Sequence, residues 1–361
     1  MPALLGFLVG ARGYSYALAS SLLLFSSFGS SLLQPLLGFH ADRLRDAAWM
    51  VPAGVALAAA GIGGAGVLPG YVGCAAALAV ASVGVAMFHP EAARSAGAVA
   101  AASGGRGAAM SVFAFGGTSG WAVAPLAVSG AVAAVGLRGT LLVAALPAAA
   151  ALVLLRRPPV PRARYASQRE TAAATLRPDR WGRFAAVAGA ASFRSGVQFG
   201  LQAFVPLYAW RHLDVGHTAA NATVTVLLGA GAAGTLLGGR LADRFGFERT
   251  VRASFVVLPL LVAPLPFVPI WAVFVLMALV GLAMDVNFYP LVILAQDALP
   301  RRVGFASGIV LGLSIGLGAL IASLLGVLAD HAGLGTTMVV VAGIAAAALL
   351  AVLPLREEAA T

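Results

Sequence analysis

Two charged residues sit where charge is costly. Arg194 has ten uncharged residues before it and sixteen after it, and Asp285 lies inside a second long apolar run. An ionised side chain near a bilayer centre costs about 2.5–3.5 kcal/mol on insertion scales, so such groups persist where they are paired or used. At about 1.5 Å of rise per residue, Arg194 lies about 15 Å into its run. A guanidinium at that depth can bind an anion or pair with a carboxylate, and a carboxylate at similar depth can exchange a proton. A purely structural ion pair is the alternative for both, and the residues alone leave it open. Gln198 and Gln202 follow Arg194 by four and eight positions, which puts three polar groups on one helical stripe. Such a stripe suits a wet cavity better than lipid. Asn287, two residues after Asp285, joins the same candidate path.

The string Phe88-His89-Pro90-Glu91 offers a second group of candidates. Glu91 ends a long uncharged stretch with Arg94 three residues on, so it serves either a proton path or a local ion pair at the interface. His89 is able to relay protons or simply to pack beside a proline kink.

A third constellation occurs twice. Gly38, Asp42 and Arg43 close one apolar run; Gly239, Asp243, Arg244 and Gly246 close another, and the two Asp stand 201 positions apart. The glycines permit close helix approach, and each Asp can accept hydrogen bonds from a neighbouring helix N-terminus or an Arg, latching one conformation. A capped basic loop is the plainer reading.

Those residues need helices to carry them, and composition says which solvent the helices face. Of the 361 residues 60% are hydrophobic and only 10% charged, so the chain is expected in lipid. Apolar runs of spanning length occupy 16–39, 49–69, 71–94, 108–131, 137–155, 184–209, 218–239, 251–269, 270–295, 305–328 and 336–355. A short stub, Met1 to Val9, precedes them. Counted as a first helix it makes twelve, and nothing is left for a separate soluble domain. All 23 basic residues are Arg, and nineteen fall on one side of the alternating loops, which predicts that side and the C-terminus in the bacterial cytoplasm. The net charge of +10 is thus a topology signal, and no nucleic-acid partner is expected. The lone Cys74 rules out an intrachain disulfide and any cysteine-based metal cluster.

Residues 156–183 form the only long polar stretch, with Pro158, Pro159, Pro161 and Pro178 arguing against a continuous helix. It reads as a cytoplasmic linker between an N-terminal bundle, 1–155, and a C-terminal bundle, 184–361. Phe88-His89-Pro90 recurs as Phe288-Tyr289-Pro290, 200 positions on, close to the 201 that separates the two Asp. Two matches at nearly one offset indicate a duplicated six-helix unit. The run Gly229-Ala230-Gly231-Ala232-Ala233-Gly234 fits a dinucleotide fingerprint by letters, but no strand precedes it, and helix packing is the expected role.

Gly-x-x-x-Asp-Arg once per half is the loop signature of the major facilitator superfamily, which the chain resembles along its whole length. Within it, the sequence is similar to the fosmidomycin resistance protein family of efflux pumps. That likeness rests on Ser31-Leu32-Leu33-Gln34-Pro35, Phe88-His89-Pro90-Glu91, Phe193-Arg194-Ser195 and Gln296-Asp297-Ala298-Leu299-Pro300. The resemblance implies an all-α integral membrane fold of two pseudo-symmetric six-helix bundles. It also implies that the runs bearing Glu91, Arg194 and Asp285 line a central cavity. Gly116, Gly120 and Pro125 resemble the superfamily's antiporter motif, with Ala124 where Gly is usual. Leu44-Arg45-Asp46 departs from the pattern after Asp42-Arg43, and Met1-Pro2-Ala3 resembles the middle of the family's first helix, which is therefore expected to begin upstream.

The resulting expectation is a monomeric inner-membrane exporter that exchanges a small molecule, such as a fosmidomycin-like drug, for protons, without cofactor or metal. A symporter importing a sugar or organic acid and a non-transporting scaffold are the rivals. No nucleophile elbow, phosphate loop or paired metal ligands supports an enzyme.

Overall fold

In the computed structural model the described residues are 8, 12–14, 16–44, 46–102, 106–156 and 178–353. Apart from Leu8, the stub Met1 to Val9 lies outside them, as do Arg45 and residues 157–177 of the basic linker. Every regular element among the described residues is helical. The helices are α1 (Tyr16–Arg43), α2 (Met50–Val67), α3 (Gly70–Ala102), α4 (Arg106–Val135) and α5 (Gly139–Arg156). They continue with α6 (Trp181–His212), α7 (His217–Phe245), α8 (Phe247–Val262), α9 (Ile270–Val286) and α10 (Phe288–Ala298). The last two are α11 (Val303–Gly308) and α12 (Ser314–Val352), joined by a π turn at Ile309–Leu313.

The apolar runs are taken up by helices, some of them by more than one element. Among the described residues, seven helical stretches are long and apolar enough to cross a membrane, including Gly70–Val99, Ala219–Phe245 and Ile270–Ala298. A further stretch of that set, Val303–Val352, spans 50 residues and holds two of the expected runs. Gly333 divides it, with φ of 83° in the gap between them. Helix α6 is outside the set of seven because its Arg194, Gln198 and Gln202 dilute an otherwise apolar sequence. The chain is an all-α integral membrane protein.

The run 270–295 was expected as one helix and is instead two. Proline has no N–H and its ring opposes the carbonyl four residues back. Pro290 leaves the Val286 carbonyl without that donor, and the helix is interrupted at Asn287 between α9 and α10. Pro90 stands at the matching position of the first repeat, yet α3 runs through it without interruption.

The described residues separate into two compact units, drawn from 1–95, 119–178 and 300–312 in one case and from 96–118, 179–299 and 313–361 in the other. In the first unit, glycines let α2 approach both neighbours closely. A Cβ on Gly54 would meet the Gly84 carbonyl at 2.7 Å and the Phe88 amide at 2.9 Å, and one on Gly66 would strike Leu137 and Thr140. Thr140 donates to the Gly63 carbonyl at 2.9 Å, and Arg12 donates to the Gly66 carbonyl at 2.7 Å, satisfying the open end of α2. In the second unit, Gly231, Gly234, Gly238 and Gly281 bring α7 against α9, so the glycine run that resembles a nucleotide fingerprint is a helix-packing seam.

Candidate functional site

Arg194 and Asp285 meet. In the second unit Arg194, 3% exposed, extends from α6 towards the break between α9 and α10. Its Nη2 forms the ion pair with Asp285 Oδ1. Nη1 donates to Gln198 Oε1 at 3.2 Å and Nε donates to the Met284 carbonyl at 2.9 Å. The guanidinium carbon also lies 4.7 Å from the centre of the Phe288 ring, within cation–π range. Three nitrogens are thus aimed at three acceptors, which uses the planar fork of an arginine in a way an ammonium could not reproduce.

Local sequence explains why those acceptors are available. The break at Asn287 frees carbonyls that a continuous helix would use, and Arg194 takes the one at Met284. Asp285 has room for its carboxylate because Gly231 of α7 faces it; a Cβ there would strike Oδ2. Removing one member of a buried ion pair costs about 3–5 kcal/mol, since the other is left uncompensated.

Asn287 is fully buried, and its Nδ2 donates to Ser254 Oγ of α8 at 2.7 Å. Its Oδ1 is buried without a partner among the described residues. Gln202 lies one turn beyond Gln198 and its Nε2 is likewise unpartnered, so the polar stripe of α6 splits into two members at the ion pair and one apart.

Glu91 and His89 lie in the first unit. Glu91 is fully buried and accepts from Arg94 Nη2 at 2.5 Å and Nε at 3.1 Å. Arg94 also reaches Asp42 Oδ1 at 3.4 Å, so the expected local pair is a three-residue network. His89 Nδ1 donates to the Val85 carbonyl at 2.9 Å, one turn back on its own helix, and its ring packs edge-on to Phe88.

The duplicated loop motif makes the same contact twice. Asp42 accepts the amides of Gly304 and Phe305, at 2.8 and 2.9 Å, at the start of α11. Asp243 accepts those of Gly107 and Ala108, at 2.7 and 2.8 Å, at the start of α4. Each carboxylate satisfies the open N–H groups and positive dipole end of a helix that belongs, in sequence, to the other half. Gly38 faces Gly304 and Gly239 faces Gly107, backbone against backbone. Arg43 stacks over Phe39 at 4.1 Å and Arg244 over Phe245 at 5.2 Å. Gly246 takes φ of 92° between α7 and α8, a region that favours glycine. Gly116 and Gly120 of α4 are exposed with no atom within 4 Å of a built Cβ, and the Pro125 backbone lies within the same helix.

The sequence alone does not assign Ser254, Phe288 or Gly231 to the surroundings of the ion pair, nor the receiving glycines Gly107 and Gly304 to the loop contact. The last two stand 197 positions apart, near the repeat offset, so the duplication carried a signal for them.

Comparison with known proteins adds the lineage. The family model described as Major Facilitator Superfamily matches residues 1–216 and 187–361. An uncharacterized MFS-type transporter of Bacillus subtilis, YfnC, is 30% identical over 332 residues, covering 90% of this chain and 80% of that protein. The fosmidomycin resistance protein of Escherichia coli is 28% identical over 314 residues, covering 84% and 75%. Among solved structures, the E. coli fucose:proton symporter FucP superposes with a TM-score of 0.78 at 14% identity, over 99% of this chain and 95% of that one. A bacterial homologue of the iron transporter ferroportin gives 0.72 at 13%, over 96% and 92%. At such identities the two structures speak for the fold alone.

Proposed function

The chain belongs to the major facilitator superfamily of membrane transporters, and from that premise we propose that it exports a small molecule in exchange for protons by alternating access. The observation that carries the proposal is the Arg194–Asp285 ion pair held inside apolar helices. Protonating Asp285 removes its charge and breaks its pair with Arg194, so proton arrival can be linked to a conformational change through one contact. An anionic substrate would act on the same contact by taking the guanidinium from Asp285, so both ligands act on one site.

The similarity to the fosmidomycin resistance protein favours an antibiotic of that kind as cargo, and Arg194 suits the anion of a phosphonate. The nineteen-to-three bias of arginines supports a cytoplasmic C-terminus in the bacterial inner membrane. Moving one charge across 100 mV supplies about 2.3 kcal/mol, whereas a tenfold outward gradient of a neutral solute needs about 1.4 kcal/mol, so one proton per cycle suffices. Within the proposal Glu91 and His89 are secondary members of the proton path. Asp42 and Asp243 are latches that release when α11 and α4 leave their carboxylates.

Inverted vesicles test the assignment. Addition of fosmidomycin to energised vesicles should draw protons out as the drug enters; co-movement of drug and protons would establish a symporter, and absence of any flux in a folded sample would contradict drug export.

A further inference from the structure

The two repeats differ at three positions that lie together in space. Aligned at an offset of 200, Gly54, Val85 and Met87 of the first repeat correspond to Ser254, Asp285 and Asn287 of the second. In the first repeat Gly54 sits directly on the Gly84 carbonyl and α3 passes Pro90 unbroken. In the second, Ser254 takes the place of that glycine and bridges the break instead. Its hydroxyl donates to the Ala283 carbonyl at 2.5 Å and accepts from Asn287 Nδ2 at 2.7 Å. The neighbouring carbonyl, Met284, is the one that Arg194 Nε takes. Proline alone therefore does not open the helix; the break accompanies a polar set that only the second repeat holds.

We infer that Ser254 and Asn287 are positioning residues for the Arg194–Asp285 pair: they hold the break between α9 and α10 open so that the Met284 carbonyl and the Asp285 carboxylate face the guanidinium together. The physical argument is one of satisfied groups. Carbonyls released inside an apolar span must find donors, and an open break persists only while they do. Ser254 supplies the donor at residue 283 and Arg194 the donor at 284, while Asn287 fixes the serine hydroxyl so that its proton points at the carbonyl. Loss of the Ser254 hydroxyl leaves both Ala283 O and Asn287 Nδ2 without the partner, and the acceptors around Arg194 shift with the backbone that bears them. Neither residue touches the ion pair, so each acts through the backbone.

The inference rests on the coupling role proposed above, and the experiment separates the two. Ser254→Ala, Ser254→Thr, Arg194→Ala and the double variant Ser254→Ala with Arg194→Ala are made in the full chain. Unfolding temperature is measured in detergent, and driven uptake of fosmidomycin into inverted vesicles. Ser254→Ala should lower the maximal driven rate about tenfold, the weight of one buried hydrogen bond and its orphaned partner, with KM changed by less than about twofold. Ser254→Thr, which keeps the hydroxyl, should retain most of that rate. The losses of unfolding temperature from Ser254→Ala and Arg194→Ala should fall well short of additive in the double variant, because both act on the same break. Should Ser254→Ala fail to accumulate, Ser254→Gly, which supplies the residue of the first repeat, is scored against the same expectations.

Additive temperature losses would overturn the inference, as would a threonine variant as impaired as the alanine. The temperature cycle needs no substrate. If Arg194→Ala transports normally while the cycle is non-additive, the coupling role fails and the positioning role stands; the reverse pattern removes the positioning role alone.

Discussion

Substituting Gly304 by alanine probes the duplicated loop contact most sharply. A Cβ at Gly304 would lie 2.5 Å from the Gly38 carbonyl oxygen and 2.9 Å from Asp42 Oδ1, both well inside contact distance. The backbones of α1 and α11 must separate, and the carboxylate must leave the Gly304 and Phe305 amides at the same time. Overpacking of this kind costs about 1–3 kcal/mol, and loss of a helix cap adds about 1 kcal/mol. Alanine returns up to about 1 kcal/mol of helix propensity, so the net loss is expected at about 1–3 kcal/mol. Gly116→Ala is the matched control, since no atom lies within 4 Å of its Cβ and the propensity gain stands alone. Thermal unfolding of the purified protein, followed by tryptophan fluorescence, reads both. A Gly304→Ala protein as stable as wild type, or a Gly116→Ala protein equally destabilised, would refute the packing argument.

The two Asp caps are unequal. The Asp42 side chain is 7% exposed and touches Arg94, whereas Asp243 is exposed and caps α4. Unfolding measurements should show Asp42→Ala costing about 3 kcal/mol and Asp243→Ala about 1 kcal/mol. Gly231→Ala places a methyl where Asp285 Oδ2 lies, so driven efflux should fall at least as far as in Asp285→Asn while the protein still accumulates in the membrane. Arg194→Lys keeps the charge but offers no planar fork to Asp285, Gln198 and the Met284 carbonyl; efflux should be lost despite unchanged charge, which a transport assay decides.

Much of this is legible in the sequence, because lipid imposes simple rules. Spanning runs, the repeat and the isolated charges follow from hydropathy and spacing, and Arg194 and Asp285 stood out because each interrupts a long apolar run. The repeated Gly and Asp pointed to helix-end capping, and the receiving ends at Gly304 and Gly107 needed a three-dimensional partner to be recognised. The break at Asn287 is not legible for a physical reason: Pro90 and Pro290 occupy matching positions, and what separates them is a polar set, Ser254 with Asn287, that comes together only across helices. Gln202 shared the spacing of Gln198, but its amide stands apart from the guanidinium; the 3.6-residue period places a residue on a face and not in a contact.

The most direct test of the central claim is fosmidomycin-driven proton movement in inverted vesicles, with wild type beside Arg194→Ala, Asp285→Asn and the double variant. If the ion pair couples the two fluxes, each single variant loses proton release on drug addition and the double variant is no worse than either. Proton release that persists in both single variants at the wild-type rate would mean that the pair only holds the fold together.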